Sequence, residues 1–507
     1  MVGIVNELES VLLFALVVTP FFGAIALAFF PADNHQAIHW YSRVIAASGL
    51  AIAAYLFITF DTGDNLSKYN VDYDWLPSLG IRFTLGLTGI TVPLILLNAV
   101  IFFGGVLISW NVDHHPKDFF IWLMLLVSGV YGVFASKDLF FLFFFYELAV
   151  VPMYLLVGVW GSSTDFGTFL RTKEYGAMKV MLVLVAGSVL VWIAILAMWV
   201  EAREITGIAD FSMTGLAQIE FSEGFQKTYY PFLMIGFGIL AGLWPFHTWS
   251  PDGHVAAPTA VSMLHAGVLM KLGAFGILAV GMVILPVGAE FWAPTLIGLG
   301  TVNVIYGAIS AMGQKDLKYI IGYSSVSHMG YVLMGLGTLD TLAVDGAVLQ
   351  MFSHGIMTAL FFAMVGVVYQ RTHIRDITIL AGLGKKMGIT GVFLAVAGLT
   401  SLGLPGFSSF VAELLIFIGT YRTYPVLGVL AVVGAAITAV YILRMLGAVF
   451  FGPIDESKWK DLRDANKTET GVAVLLTGFL LLWGLYPFRI VEIIDSGVVP
   501  IMESFGG

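Results

Sequence analysis

The chain has 507 residues, 59% of them apolar and only 11% charged, with a further 57 glycines and a net charge of −9. A soluble domain carries about 25% charged residues, so an ordinary globular enzyme, a nucleic-acid binder and a disordered chain are all excluded. Cysteine is absent, which removes thiolate-held iron–sulfur clusters, disulfides and thiol nucleophiles.

At about 20 residues per crossing, this is the composition of an all-α polytopic membrane protein. Fourteen apolar stretches follow one another: 11–30, 43–60, 84–110, 119–135, 138–159, 176–200, 229–247, 258–285, 291–312, 319–338, 343–369, 389–420, 425–452 and 470–488. The first ten residues carry Glu7 and Glu9 and no base. That is the wrong flank for a cleaved signal, so the first span is expected to stay. The two longest breaks, Asp61–Ser78 and Glu201–Thr228, are too polar to cross.

An even number of spans puts both termini on one side. Odd-numbered gaps hold most bases: Arg43, Lys117, Arg171, Lys173, Lys315, Lys318, Arg371, Arg375, Lys385, Lys386, Lys458, Lys460, Arg463 and Lys467. Even gaps and termini are acidic, with Glu7, Glu9, Asp61, Asp64, Asp72, Asp74, Glu201, Glu204, Asp210, Glu220, Glu223, Asp340, Glu492 and Asp495 against few bases, Lys68 among them. Basic loops stay in the cytoplasm. The expectation is an integral protein of a bacterial plasma membrane with both termini on the periplasmic side.

Span seven ends in Gly242-Leu243-Trp244-Pro245-Phe246-His247, and span twelve carries Gly403-Leu404-Pro405-Gly406-Phe407 in its middle. Proline removes a backbone donor and clashes with the preceding turn. Either could be an ordinary kink. Two breaks in corresponding halves, each near an intramembrane ionisable residue, point instead to an ion path.

A charge at mid-bilayer costs about 2.5–3.5 kcal/mol on insertion scales. Glu147 sits near the middle of span five, Lys271 near the middle of span eight and Glu413 shortly after the break in span twelve. Lys179 lies just inside span six, His265 in span eight, His328 in span ten and His354 in span eleven. Titratable groups of both signs at that depth, wetted by broken helices, suit a gated proton relay. Bland readings stand beside it. Lys179 could snorkel to the interface, His328 and His354 could be satisfied core histidines, and Arg444 in span thirteen reads as a structural anchor or lipid contact.

Four motifs carry a family resemblance. Phe145-Tyr146-Glu147-Leu148-Ala149-Val150-Val151-Pro152-Met153-Tyr154 and the run from Trp244 to Thr259 resemble the span-five and span-seven signatures of the antiporter-like membrane subunits of respiratory complex I. Lys315-Asp316-Leu317-Lys318 leading into Tyr323–Gly330, and Gly403–Phe407 followed by Phe410-Val411-Ala412-Glu413, are similar to two more. Glutamate at 413 resembles the subunit M (chain 4) branch, where sister subunits usually carry lysine.

The resemblance implies fourteen helices in one membrane domain over 1–507. Two inverted five-helix repeats would lie near 119–285 and 291–452, flanked by helices in 11–110 and 470–488. It implies a proton-translocating subunit of an NADH:quinone oxidoreductase, without cofactor, metal or redox centre of its own and driven by quinone reduction elsewhere. Partners would be other membrane subunits, including sister antiporter-like ones, together with lipids and protons, and no nucleic acid. By position, Glu147 matches the span-five glutamate, Lys271 the bridging lysine, Glu413 the exit-side carboxylate, His328 and His354 relay histidines, and Lys318 a cytoplasmic-side lysine.

One departure stands out. The family normally has lysine seven residues before the histidine of Pro245-Phe246-His247, and here that residue is Leu240. Glu147 thereby lacks its expected partner, and His265 is the candidate substitute. Smaller departures are Gly242 for proline and Thr88 for aspartate. Alternatives remain: a subunit of a multi-subunit sodium/proton antiporter or a membrane-bound hydrogenase, a structural spacer that no longer pumps because of Leu240, and, least favoured, a haem-binding subunit using His328 and His354.

Overall fold

The computed structural model describes residues 8–63, 69–165 and 170–506. Glu7, Asp64 and Lys68, which entered the charge count, lie outside them. In hydrocarbon every backbone N–H and C=O needs an internal partner, so spanning segments become helices. In chain order these are α1 (Leu8–Ala28), α2 (His35–Ile58), α3 (Thr91–Ile108), α4 (Pro116–Ala135), α5 (Leu139–Trp160) and α6 (Lys173–Thr206). The short α7 (Met213–Ala217) precedes α8 (Glu223–Ala241), α9 (Trp249–Ala256), α10 (Thr259–Leu264) and α11 (Met270–Gly276). Then come α12 (Pro286–Gly313), α13 (Leu317–Gly337), α14 (Thr341–Thr372), α15 (Gly388–Ser401), α16 (Ser408–Thr423), α17 (Pro425–Phe450), α18 (Lys467–Leu485) and α19 (Phe488–Met502).

Short polar side chains start many of these helices by accepting the free first-turn N–H groups. Asp138 caps α5, Thr172 α6, Ser222 α8, Asp316 α13 and Asp340 α14, and Asn466 forms a capping box with Glu469 on α18. Glycines in the left-handed conformation end α6 at Gly207 and α8 at Gly242. The core runs along α14, buried over its whole apolar window, whereas α17 and α18 are buried over only a third of theirs. Those outer helices leave most of their apolar surface exposed.

Two features add to the helical expectation. The end of the acidic Asp61–Ser78 break and the first residues of the third apolar stretch form an antiparallel hairpin, β1 (Val71–Leu76) and β2 (Ile81–Leu85), turning at Gly80. The third helix accordingly starts at Thr91 and not at 84. Alternation in Val71-Asp72-Tyr73-Asp74 suits a strand, and Arg82 on β2 pairs with Asp72 and Asp74 on β1. A two-residue pairing, Thr164–Asp165 with Leu170–Arg171, adds a second small sheet. The other addition is the helix α19. Its buried residues Ile490, Ile493, Ile494, Val498 and Met502 keep helical spacing, so it lays one apolar face on the bundle.

Among the described residues, 12 helical segments are long and apolar enough to cross a membrane. The two expected spans outside that set are α13, diluted by Lys318, His328 and three serines, and the α15–α16 pair, whose halves are individually short.

Candidate functional site: a buried line of titratable side chains

Both expected breaks are present. Beyond Gly242 the chain leaves helical geometry until Phe246–Thr248 and α9. The freed backbone groups find a protein partner: Asn303 of α12 accepts the Trp244 N–H at 2.6 Å and donates to Gly242 O at 2.7 Å. Between α15 and α16, Gly403 and Gly406 take φ values of +63° and +101°. A Cβ at Gly403 would stand 2.5 Å from Glu413 Oε2, so the glutamate reaches back along its helix into the break.

Lys271 lies between two π-helical turns, His265–Leu269 and Ile277–Met282. Such turns shift the hydrogen-bond ladder by one residue and often mark functional positions. Lys271 Nζ donates to Ala266 O at 2.5 Å and lies 2.7 Å from His354 Nδ1 on α14. The His354 ring faces that of His328 on α13, centroids 5.3 Å apart. His328 Nδ1 is 3.4 Å from Glu413 Oε1, and Gln350 bridges them with Nε2 at 3.2 Å from the ring and 3.4 Å from the carboxylate. Ser401 Oγ holds the other ring nitrogen at 2.9 Å. Lys271, His354 and His328 are fully buried and Glu413 is 4% exposed. Four titratable groups from four helices thus form one internal series. The two imidazoles are related by a tilted ring contact, with no hydrogen bond between them.

A second cluster centres on Asp252 of α9. Arg171 NH1 meets Oδ1 at 2.5 Å, Tyr319 donates to the same oxygen at 2.9 Å, and Lys179 Nζ meets Oδ2 at 2.7 Å. Lys179 is therefore ion-paired inside the protein. From the same short helix, His254 contacts Ser250 Oγ at 3.0 Å and packs its ring 4.0 Å from that of His265, which stacks on Trp249. Lys318 turns inward and donates to Ala257 O at 2.7 Å. Arg444 donates to Met312 O and Gln314 O at the end of α12.

Glu147 stands apart from both clusters. It is half-buried on α5 with Ser188 of α6 as hydrogen-bonding neighbour, and its Oε1 has no partner. The neighbours of His265, the candidate substitute for the missing lysine, are Trp249, His254 and Lys271. Both His265 nitrogens lack a hydrogen-bond partner, and its ring belongs to the Trp249–His254 stack near Lys271. Leu240 itself is fully buried, where a lysine ammonium would need a counter-charge.

Asn303, Gln350 and Asp252 were not singled out from sequence. Asp252 sits inside a quoted motif, and Gln350 is one turn before His354 on the same helix face. Along the two clusters, His254 Nδ1, His265 Nδ1 and Nε2, His354 Nε2 and Gln350 Oε1 are buried without a partner. An unsatisfied buried polar atom costs about 1–3 kcal/mol, so such a concentration marks where water is required.

The family described as NADH:quinone oxidoreductase/Mrp antiporter, TM, matches residues 136–438. A Picosynechococcus NAD(P)H-quinone oxidoreductase chain 4 is 36% identical over 447 residues, 86% of this chain and 79% of that protein. A Synechococcus chain 4 is 34% identical over 506 residues, 98% of this chain and 93% of that protein. Two solved structures share the fold. A chain of respiratory complex I from Thermus thermophilus superposes with TM-score 0.88 at 24% identity, covering 98% of this chain and all of that one. A chain of the Mrp complex from Dietzia sp. superposes with TM-score 0.84 at 18% identity, covering 98% of each. With a family match over most of its length and chain 4 relatives more than a third identical, the chain belongs to the NADH:quinone oxidoreductase/Mrp antiporter family, as an antiporter-like membrane subunit of the complex I chain 4 (subunit M) type.

Proposed function

We propose that this subunit moves protons across a bacterial plasma membrane along Lys271, His354, His328 and Glu413, driven by quinone reduction in other subunits of an NADH:quinone oxidoreductase. The observation that supports this most is the buried series itself, linked at 2.7, 5.3 and 3.4 Å and flanked by polar atoms that need water. A relay needs groups that exchange protons without leaving the low-dielectric interior, and imidazoles between an amine and a carboxylate meet that need. Lys271 acts as the bridge and Glu413, at the α15–α16 break, as the outlet. Lys318, Lys179 and the Asp252 cluster set the field at the other end, with His254 and His265 between that cluster and Lys271. Glu147 loads protons without a lysine partner.

In this reading α13 and the α15–α16 pair also cross, giving fourteen spans with two inverted repeats near 119–285 and 291–452, each holding one broken helix. The basic loops lie in the cytoplasm and both termini in the periplasm. Sister antiporter-like subunits pack alongside.

The test is the ratio of protons moved per electron in assembled complex reconstituted into liposomes, in sodium-free buffer, with Glu147→Gln, Lys271→Ala and Glu413→Gln. The relay requires a lower ratio in the Lys271 and Glu413 variants. An unchanged ratio in all three, with normal assembly and quinone reduction, would establish the spacer reading that Leu240 motivates. Pumping restored only by added sodium would favour the sodium/proton antiporter.

A further inference from the structure

Outside the two clusters, one acid is buried without a use in the relay. Asp345 lies just past the first turn of α14 and is 6% exposed. Among the described residues no donor reaches its Oδ1. Its carboxyl group stands in hydrogen-bonding contact with that of Asp495 on α19, which is exposed. An ionised carboxylate only accepts, so a hydrogen bond between two carboxyl groups needs one of them to hold a proton. Two like charges at that separation do not both persist. The other charged group acting on Asp345 is a third acid, Asp340 at the head of the same helix. Arg489, the base on α19, is taken by Glu492 and the Phe60 carbonyl. The pair therefore links a buried carboxyl to an exposed one through a proton.

The pair lies near the outlet of the relay. A Cβ on Gly346 would stand 2.8 Å from Ala412 O and from Leu415 Cβ, so α14 touches α16 here around the position of Glu413. Gln350, which contacts both His328 and Glu413, is five residues on from Asp345, about 7.5 Å along the helix axis. On α16, Thr420 repeats the Glu413 face two turns later. It is fully buried, and its Oγ1 also lacks a partner. Its neighbour Gly419 meets the head of α14, where a Cβ would stand 2.5 Å from Asp340 Oδ1. Open buried atoms on both helices past Glu413 mark where water is required.

We propose that Asp345 and Asp495 are the release groups of the relay, an inference that rests on the reading of Lys271, His354, His328 and Glu413 as a proton path. A proton leaving Glu413 crosses by water to Asp345 Oδ1. The proton already shared by the two carboxyl groups then leaves from Asp495 to the aqueous phase. The pair returns to one proton and one negative charge, so each arrival expels one proton.

The assembled complex in liposomes tests this, with protons moved per electron measured for wild type, Glu413→Gln, Asp345→Asn, Asp345→Glu and Asp495→Asn. Asparagine at 345 still donates to the Asp495 carboxylate and so holds α19, but it has no carboxyl proton to exchange. Asp345→Asn should lose pumping to the level of Glu413→Gln, and Asp345→Glu should recover it. Loss in both Asp345 variants would make the residue structural and overturn the release role. A wild-type ratio in Asp345→Asn beside a lowered one in Glu413→Gln would overturn the release role alone and leave the relay standing. A wild-type ratio in Glu413→Gln would end the relay reading and this inference with it. Should Asp345→Asn fail to assemble, Asp495→Asn decides, since that residue is exposed: a lowered ratio supports release through the pair, and a wild-type ratio overturns it.

Discussion

Replacing Gly403 by alanine should disable the outlet end of the relay while leaving the subunit folded. Gly403 has φ +63°, and an L side chain there costs roughly 1–2 kcal/mol. The new Cβ would stand 2.5 Å from Glu413 Oε2, against an ordinary contact near 3.4 Å, so the carboxylate must retreat by 3.4 − 2.5, about 0.9 Å. Its links to His328 and Gln350 are both already 3.4 Å, at the edge of hydrogen bonding. A shift of that size breaks at least one of them. A hydrogen bond to a charged group contributes about 1.5–3 kcal/mol, which is about one to two factors of ten in a proton-transfer step. The control is Gly406→Ala. It has φ +101° but meets only Leu485 Cδ2 at 3.9 Å, so it carries backbone strain without touching Glu413. In liposomes reporting quinone reduction and proton uptake together, Gly403→Ala should lower the proton ratio or slow coupled turnover, and Gly406→Ala should do neither. Wild-type pumping by Gly403→Ala, or equal damage from both, would refute the reasoning.

Asn303→Leu removes the clasp on the first break and orphans the Trp244 N–H and Gly242 O. At about 1–3 kcal/mol per stranded group, the thermal midpoint of detergent-solubilised protein should fall, and an unchanged midpoint counts against the clasp. Asp252→Ala removes the carboxylate that Arg171, Lys179 and Tyr319 share and should cost about 3–5 kcal/mol, visible as lost assembly on native gels. Lys179→Ala leaves Arg171 and Tyr319 on the carboxylate and should assemble, and reversal of that order would refute the cluster. Asp464 fastens the 451–466 loop to α15. Burial works against its charge, but hydrogen bonds from Thr390 Oγ1, Ala465 N and the Ile389 and Thr390 amides outweigh that and lower its pKa below the ordinary 3.8. A lowered acid stabilises above its unfolded pKa and loses that contribution as pH falls through the folded one. Hydrogen exchange at Ile389 and Thr390 should stay slow from neutral pH down to about pH 4 and quicken below it, whereas Asp464→Ala should be fast throughout. Quickening already near neutrality in wild type would contradict this.

Where hydrophobicity alone decides, the sequence was readable. Helices cover the centres of thirteen of the fourteen apolar stretches, the twelfth being centred on the α15–α16 break, and Lys271, Glu413, His328 and His354 stand out because charge is costly against an apolar background. What escaped depends on less hydrophobic signals. The β1–β2 hairpin is short and acidic, so it reads as a polar break. α19 follows α18 through only Tyr486 and Pro487, and its apolar face is too narrow for a crossing. In the site, the residues that organise others were missed: Asn303 and Gln350 are neutral, and Asp252 gains meaning only through Arg171, Lys179 and Tyr319, far away in the chain. The surroundings of His265 were hidden for the same reason. Spacing placed it on the helix of Lys271, but which face it turned to was set by the π turn His265–Leu269 and by Trp249.

The account rests on water reaching groups that the protein itself leaves unpaired. A map of the assembled complex fine enough to resolve solvent tests that directly. It should show ordered waters on the nitrogens of His265, between the Asp252 cluster and Lys271, and on His354 Nε2 and Gln350 Oε1, between Lys271 and Glu413. Those atoms standing dry, in a map that resolves water elsewhere in the membrane arm, would contradict proton movement along this line.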